Sequence, residues 1–339
     1  MKYRNIGKTK LKASAVTFGA MGIGGGFRYP DADADVSIRA IHAALDRGIN
    51  IIDSAPVYGF GQSEELIGKA IRGRRDKVIL STKCGLWWGD DEGSYRFTWD
   101  GHAVKRNLSP RTIRIEVEDS LRRLQTDYID IYYTHNPACA PFLTPIEDTI
   151  ATLLALRDEG KIRAIGASNC TVGDVTHYLA ADAIEIVQLK YNLLERGVEG
   201  EFLPLVEANG LSLHAYSPLA AGLLTGRFGI GHKLNATEPR ATNPLWAQDV
   251  YPLALDFVEG IGKVARARGS TPTAVSIAYL LAASPAVNVI CGIGKESHID
   301  GVLAGADLEL SDAEMASLRT LAREFDERRA ALPKAAKPQ

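Results

Sequence analysis

The chain has 339 residues, 46% hydrophobic and 24% charged, with a formal net charge of −2. That balance suits one large α/β domain or two ordinary ones, and it excludes a basic nucleic-acid arm and an acidic solvating tail. No run of about 18 apolar residues offers a membrane span, the charged N-terminus lacks the apolar core of a signal peptide, and Cys84, Cys139, Cys170 and Cys291 stand far apart, as free thiols in a reducing cytosol do.

Short apolar runs alternate with amphipathic stretches. A first strand at 15–19 ends in Gly19, and a helix follows over 33–47 with Asp31 and Asp33 at its start and Gly48 past its end. The run 49–52 leads into Asp53, and Ser63 caps a helix over 63–71. The run 78–82 leads into Lys83, and a long polar loop is expected over 85–109. Ser109 and Pro110 then open a helix through Leu124, with Ile113, Val117, Leu121 and Leu124 on one face. The run 128–133 leads to His135, followed by a helix over 145–157. Strands at 162–166, 184–187 and 211–215 alternate with helices near 172–179 and 200–209. A long loop over 220–248, helices over 249–268 and 272–283, and an eighth strand at 287–290 follow. Helices over 296–304 and 312–329 precede a tail, 330–339, expected to fray.

Eight βα units without a linker predict a closed (β/α)8 TIM barrel, residues 1–329, with a short N-terminal β-hairpin and extra C-terminal helices. A doubly wound sheet is disfavoured because no GxGxxG follows the first strand. The stretch from Gly22 to Gly26 comes near that pattern, but no helix opens on it, and it reads as a flexible loop at the barrel mouth.

Asp53, Tyr58, Lys83 and His135 then fall at one end of successive strands, where such barrels carry their chemistry. Alone, each has a plain structural reading as a turn, cap or packed loop residue. Together they match an acid/base system. An ammonium beside a phenol lowers its pKa, a carboxylate holds the ammonium, and an imidazole orients a carbonyl oxygen. No His/Cys/Asp cluster calls for a metal.

Several stretches resemble the aldo-keto reductase family, in order and over nearly the whole chain. They are Asp53-Ser54-Ala55-Pro56-Val57-Tyr58-Gly59 with Ser63-Glu64 and Gly68; Ser81-Thr82-Lys83; Ser120-Leu121-Arg122-Arg123-Leu124; Asp127-Tyr128-Ile129-Asp130; Gly166-Ala167-Ser168-Asn169; Gln188-Leu189-Lys190-Tyr191-Asn192; and Tyr216-Ser217-Pro218-Leu219. The likeness is greatest to bacterial branches with a Gly-Leu-Leu-Thr-Gly stretch, here Gly222 to Gly226. It implies an NAD(P)H-dependent reduction of an aldehyde or ketone, with Tyr58 as general acid and Lys83, Asp53 and His135 supporting it. It also implies a nicotinamide cofactor held by Gly22, Asp53, Ser168, Asn169 and Gln188, with Tyr216 stacked on the ring. The resemblance further implies Ser217 and Leu219, with Pro218 between them, at the pyrophosphate, Gly222 and Leu224 in a loop that folds over it, and Gly292, Gly294, Lys295 and His298 at the adenosine end.

The chain departs from the family there. His298 and Val302 replace the usual Arg or Gln and Asn, so the lone ammonium of Lys295 favours NADPH only weakly over NADH. In the loop after Lys83, Trp87, Trp88, Tyr95, Phe97 and Trp99 among Asp90, Asp91, Glu92 and Arg96 suit a sugar-like substrate, or equally anchor that loop to the barrel. Tyr58, His135, Asn136, Arg227 and Trp246 are the further candidate substrate contacts, the last two in a loop that covers the cofactor or binds an anionic group. Two alternatives are an NAD-dependent sugar dehydrogenase working in the oxidative direction and a nicotinamide-binding regulatory subunit. The expected partner is a small carbonyl compound, with no nucleic acid or membrane, in the cytoplasm.

Overall fold

The computed structural model describes residues 1–25, 29, 32–235 and 238–333. Strands β1 (Tyr3–Asn5) and β2 (Lys12–Ser14) form an antiparallel hairpin ahead of β3 (Val16–Gly19). Then come α1 (Ala34–Asp46), β4 (Ile51–Asp53), α2 (Gln62–Ala70), β5 (Ile79–Cys84), β6 (Leu86–Trp87), β7 (Ser94–Trp99), β8 (His102–Arg106) and α3 (Pro110–Leu124). The chain continues through β9 (Ile129–Thr134), α4 (Ile146–Asp158), β10 (Ile162–Ser168), α5 (Val172–Ala180), β11 (Ile186–Lys190), α6 (Phe202–Asn209) and β12 (Ser212–Tyr216). It ends with α7 (Tyr251–Ala267), α8 (Pro272–Ala283), β13 (Val287–Gly292), α9 (Ile299–Asp307) and α10 (Asp312–Ala330).

Strands β3, β4, β5, β9, β10, β11, β12 and β13 pair in parallel in that order, and β13 returns to β3 to close the barrel. Side chains alternate in and out along each strand. Ile51, Ile79, Ile131, Ala164 and Ile186 fill the lower interior, and Ile6 and Ala13 from the hairpin region pack beneath them. One or two inward positions further along, the same strands present Asp53, Ser81, Lys83, Tyr133 and Gln188, so the barrel turns polar toward its C-terminal mouth.

The helix signals were mostly as read. Asp33 accepts from the Val36 N–H, and Ser109 accepts from Thr112 N–H with Pro110 in the first turn. Ser63 is a correction. Gly61, at φ +100°, begins α2, and Ser63 lies inside the helix with its hydroxyl on Ala20 O and Ser54 Oγ. The 85–109 loop is a second correction, because it holds a three-stranded antiparallel sheet in the order β6-β8-β7. Asp100 and Gly101, at φ +50° and +78°, supply its tight turn. Residues Ala20–Ile23 form a 3-10 turn rather than a flexible loop, and Gly26 lies outside the described residues. The 220–248 loop contains 3-10 turns at Ala220–Thr225, Pro239–Thr242 and Pro244–Trp246. Helix α10 includes Ala330, and 334–339 of the expected tail lie outside the described residues.

The far end of the barrel is pinned by charge. Asp130, 1% exposed, accepts from Arg75 Nη2 and Arg163 Nη1 at 2.8 Å each and from Leu80 N–H at 2.9 Å. The two guanidiniums each lie 3.8 Å from the Tyr128 ring centroid. Removing the carboxylate strands two cations against one ring. Asp130→Ala is expected to lose about 3–5 kcal/mol of stability in a denaturant titration, with turnover per folded molecule retained.

Candidate active site

Lys83 is 1% exposed, and Asp53 beside it 3%. Lys83 Nζ donates to Asp53 Oδ2 at 2.8 Å and to Ser54 O at 2.6 Å. Asp53 Oδ1 accepts from Ser81 Oγ and from Gln188 Nε2, both at 2.8 Å. Burial alone would push the Lys83 amine down. Asp53 and the Tyr58 hydroxyl outweigh it, and the pKa rises.

Tyr58 sits in the loop after β4, with Lys83 Nζ 5.1 Å from its ring centroid. A backbone contact sets the loop's path. Gly59 has φ +63°, and a Cβ there would stand 1.8 Å from Gly24 O. Burial pushes the Tyr58 phenol up, and the Lys83 ammonium only partly reverses this. The expectation of a lowered phenol pKa is therefore corrected in sign: desolvation exceeds the attraction, and the group stays protonated.

His135 follows β9. Its N–H donates to Cys84 O at 2.8 Å, and its ring stands edge-on to Tyr58, centroids 6.0 Å apart at 87°. Burial, then Lys83, holds the imidazole well below its usual value, so it is neutral. Asn169, at φ +54°, donates to His135 O at 2.9 Å and accepts from Tyr216 Oη at 2.7 Å, which ties β9, β10 and β12 together. Ser168 is buried beside it.

Beneath these groups lies a pair that sequence reasoning missed. Tyr133 Oη and His214 Nδ1 are 2.9 Å apart, both fully buried, and burial pushes His214 down to about 4. Their inward positions on β9 and β12 were the available signal.

On the other side of the mouth, Ser217 is exposed at φ +54°, Pro218 is buried and Leu219 half-buried. Gly222, at φ +91°, lies in the turn after them, whereas Leu224 is packed into the core. Gly22 lies in the turn after β3. A Cβ at Gly292 or Gly294 would meet nothing within 4 Å. Lys295 and His298 are exposed, and the His298 imidazole is lowered by partial burial, by Lys295 and by Arg227. Three basic side chains from two loops thus share one neighbourhood.

The aromatic candidates divide. Trp88 meets Phe60 edge-on at 5.2 Å, and Phe60 also contacts Trp99 and His102, at 5.9 and 4.4 Å. This cluster packs beside Tyr58 with Ala55, Val57, Leu86 and Val104. Phe60 and His102 were not singled out from sequence. Trp87 is 8% exposed and donates to Asp90 Oδ1 at 2.7 Å, so it anchors the small sheet. Asn136 is half-buried next to His135. Trp246 stacks on Tyr251 at 5.1 Å and meets Phe228 edge-on at 4.8 Å, and Arg227 lies 4.5 Å over Phe228. Those rings contact one another rather than the Tyr58–His135 pair.

The family model for the aldo/keto reductase family matches residues 15–323. The chain belongs to the aldo/keto reductase family. It is 37% identical over 326 residues to an NADH-specific methylglyoxal reductase of Escherichia coli (strain K12), covering 95% of this chain and 98% of that one. The structure of a glycerol dehydrogenase from Gluconobacter oxydans matches it with a TM-score of 0.86 at 32% identity, over 99% of this chain and 98% of that chain. An aldo-keto reductase from Klebsiella pneumoniae in complex with NADPH matches with a TM-score of 0.73 at 27% identity, over 95% and 96%. This aldo/keto reductase is accordingly an NAD(P)-dependent oxidoreductase acting on carbonyl and alcohol groups. Among the described residues no group of three His, Cys, Asp or Glu is placed to hold a metal ion, and no helix is long and apolar enough to cross a membrane.

The residues present fit a nicotinamide dinucleotide. Amide and hydroxyl groups of Ser168, Asn169 and Gln188 line the strand ends, Gly292 and Gly294 leave open space, and the Arg227, Lys295 and His298 group suits phosphate.

The buried histidines set a pH dependence. The unfolded chain binds protons near 6.5 that folded His214 refuses until about 4, and His135 is lowered likewise. Their contribution to stability is present above about 6.5 and declines as pH falls toward 4. Thermal melts across that window are expected to show a smaller slope for His214→Gln than for the unaltered protein.

Proposed function

We propose that this aldo/keto reductase reduces a small, sugar-like aldehyde or ketone with NADPH, using Tyr58 as the proton donor. The observation that carries the reading is a protonated, half-buried phenol beside the Lys83–Asp53 ion pair, with a neutral imidazole at right angles to it. A nicotinamide held by Ser168, Asn169 and Gln188 would supply the hydride for the carbonyl carbon. Tyr58 Oη gives its proton to the carbonyl oxygen, and the phenolate left behind is stabilised by the Lys83 ammonium. Asp53 keeps that ammonium charged and in place. His135 orients the carbonyl oxygen as a neutral group, so it adds no competing cation beside Lys83.

Substrate and cofactor follow from the loops. Trp88, Phe60, Trp99 and His102 offer aromatic faces beside hydrogen-bonding groups, which suits a polyhydroxylated carbonyl compound. The matched proteins named for methylglyoxal and glycerol point the same way, toward small oxygenated molecules. The dehydrogenase among them favours a second reading, in which the same groups run in reverse and Tyr58 accepts the alcohol proton. For the cofactor, Arg227 joins Lys295 and His298 and brings the planar guanidinium missing from the β13 loop, which supports NADPH.

Two measurements test this. Tyr58→Phe and Lys83→Met are each expected to lower kcat about 10³-fold while leaving cofactor affinity near that of the unaltered protein. Full turnover in Tyr58→Phe would overturn the role given to it. Lys295→Ala is expected to weaken NADPH binding about tenfold, measured by fluorescence titration, and to leave NADH binding unchanged. Equal loss for both cofactors would count against the phosphate contact.

A further inference from the structure

Strand β5 is gripped from behind at the point where it delivers Lys83. Thr82 and Cys84 alternate with Lys83 and face away from the barrel interior. Thr82 Oγ1 donates to Glu64 Oε1 at 2.6 Å. The next backbone group beyond Cys84, the Gly85 N–H, donates to Glu116 Oε2 at 2.8 Å. Both carboxylates are buried, Glu64 completely and Glu116 to 4% exposure. Arg123 Nε donates to Glu64 Oε2 at 2.6 Å and also faces Glu116. Glu116 Oε1 has no hydrogen-bond partner among the described residues. A carboxyl so placed in a helix–strand core costs free energy that an apolar side chain would not.

Gly85 is the branch point of the site. It has φ +91°, and a Cβ there would stand 2.4 Å from Leu108 Cδ2. Lys83 lies two residues before it. Trp87 and Trp88, which root the small mouth sheet, lie two and three residues after it. The bond to Glu116 on α3 therefore joins those from the Asn107 N–H to Gly85 O and from the His135 N–H to Cys84 O in holding the segment from which the ammonium and the aromatic wall both extend. The geometry points to Glu116 as a positioning residue for the reaction, acting through the Gly85 N–H on the placement of Lys83 and the mouth sheet. This rests on the roles given above to Tyr58 and Lys83.

The charge state of Glu116 makes the idea testable. Burial lifts its carboxyl to about 8 against the opposing pull of the Gly85 N–H, so it is an uncharged acid at neutral pH. Facing it are Glu64 from α2, Arg123 and Asp119 from α3, Cys84 from β5 and Tyr132 from β9. Burial raises the Cys84 thiol and the Tyr132 phenol well above their usual values, so neither ionises in this range. Above about 8 the Glu116 carboxylate draws the Gly85 N–H harder and competes with Glu64 for the Arg123 guanidinium, so the hold on β5 is displaced from its neutral-pH position.

Glutamine keeps an acceptor for Gly85 and cannot ionise, whereas alanine removes the acceptor. In the full chain, Glu116→Ala is expected to lower kcat about tenfold or more with cofactor affinity unchanged. Glu116→Gln is expected to restore turnover at neutral pH. Turnover of the unaltered protein falls on crossing pH about 8, and that of Glu116→Gln does not. Val117→Ala, on the same helix, serves as a destabilised control that keeps its kcat.

The inference is overturned if Glu116→Ala and Val117→Ala, matched for folded fraction, have the same kcat, or if Glu116→Gln keeps the pH profile of the unaltered protein. The profile decides alone if Glu116→Ala does not fold. Tyr58→Phe, run alongside, separates the two failures. If it stays active, the reading of the site falls; if it is inactive while the Glu116 variants match the control, only the positioning role falls.

Discussion

The site depends on one buried ion pair. Lys83 and Asp53 meet at 2.8 Å where almost no solvent reaches. Taking two charges out of water is costly, and their attraction offsets that cost only when the remaining protons and lone pairs are also used. Here they are. The lysine has Ser54 O as well as the carboxylate, and the carboxylate has Ser81 and Gln188. Four strands contribute to the pair's surroundings, so the closed barrel and the charged pair hold each other in register. Residues Asp53↔Ser81 and Lys83↔Tyr133 sit directly opposite one another on neighbouring strands.

The neutrality of the surrounding groups follows from that pair. A single cation is kept charged by its partner, while burial holds His135 and His214 neutral and Tyr58 protonated. Around Tyr58 one positive charge, paired with Asp53, thus stands among groups that can donate or accept hydrogen bonds without competing with it. In a low-dielectric setting, such isolation strengthens what the charge does to its neighbours.

Much of this was readable in advance. The eight apolar runs and the helices between them carry strong periodic signals, so barrel closure and the strand-end places of Asp53, Lys83 and His135 followed from local pattern. The Asp100-Gly101 hairpin reads as a polar loop, although its turn type and the alternation of Tyr95, Phe97 and Trp99 are local features that signal it. Other features depended on three-dimensional packing. Ser63 looks like a cap, but left-handed Gly61 caps the helix two residues earlier. The Tyr58 phenol went the wrong way because sequence displays the nearby ammonium and conceals the depth of burial. Phe60 and His102 meet only after the small sheet folds back over the Tyr58 loop, and Tyr133 finds His214 across the barrel interior.

The small mouth sheet carries one more consequence. Its first and last strands are neighbours, with Leu86 paired to Arg106 and Trp87 to Lys105. The chain therefore leaves the barrel and re-enters it at adjacent points, and the 20 or so residues between form a closed detour with its own hydrogen bonds. A segment built in this way is a cassette. It can be lengthened, shortened or exchanged without disturbing the barrel frame that holds Asp53, Lys83 and His135.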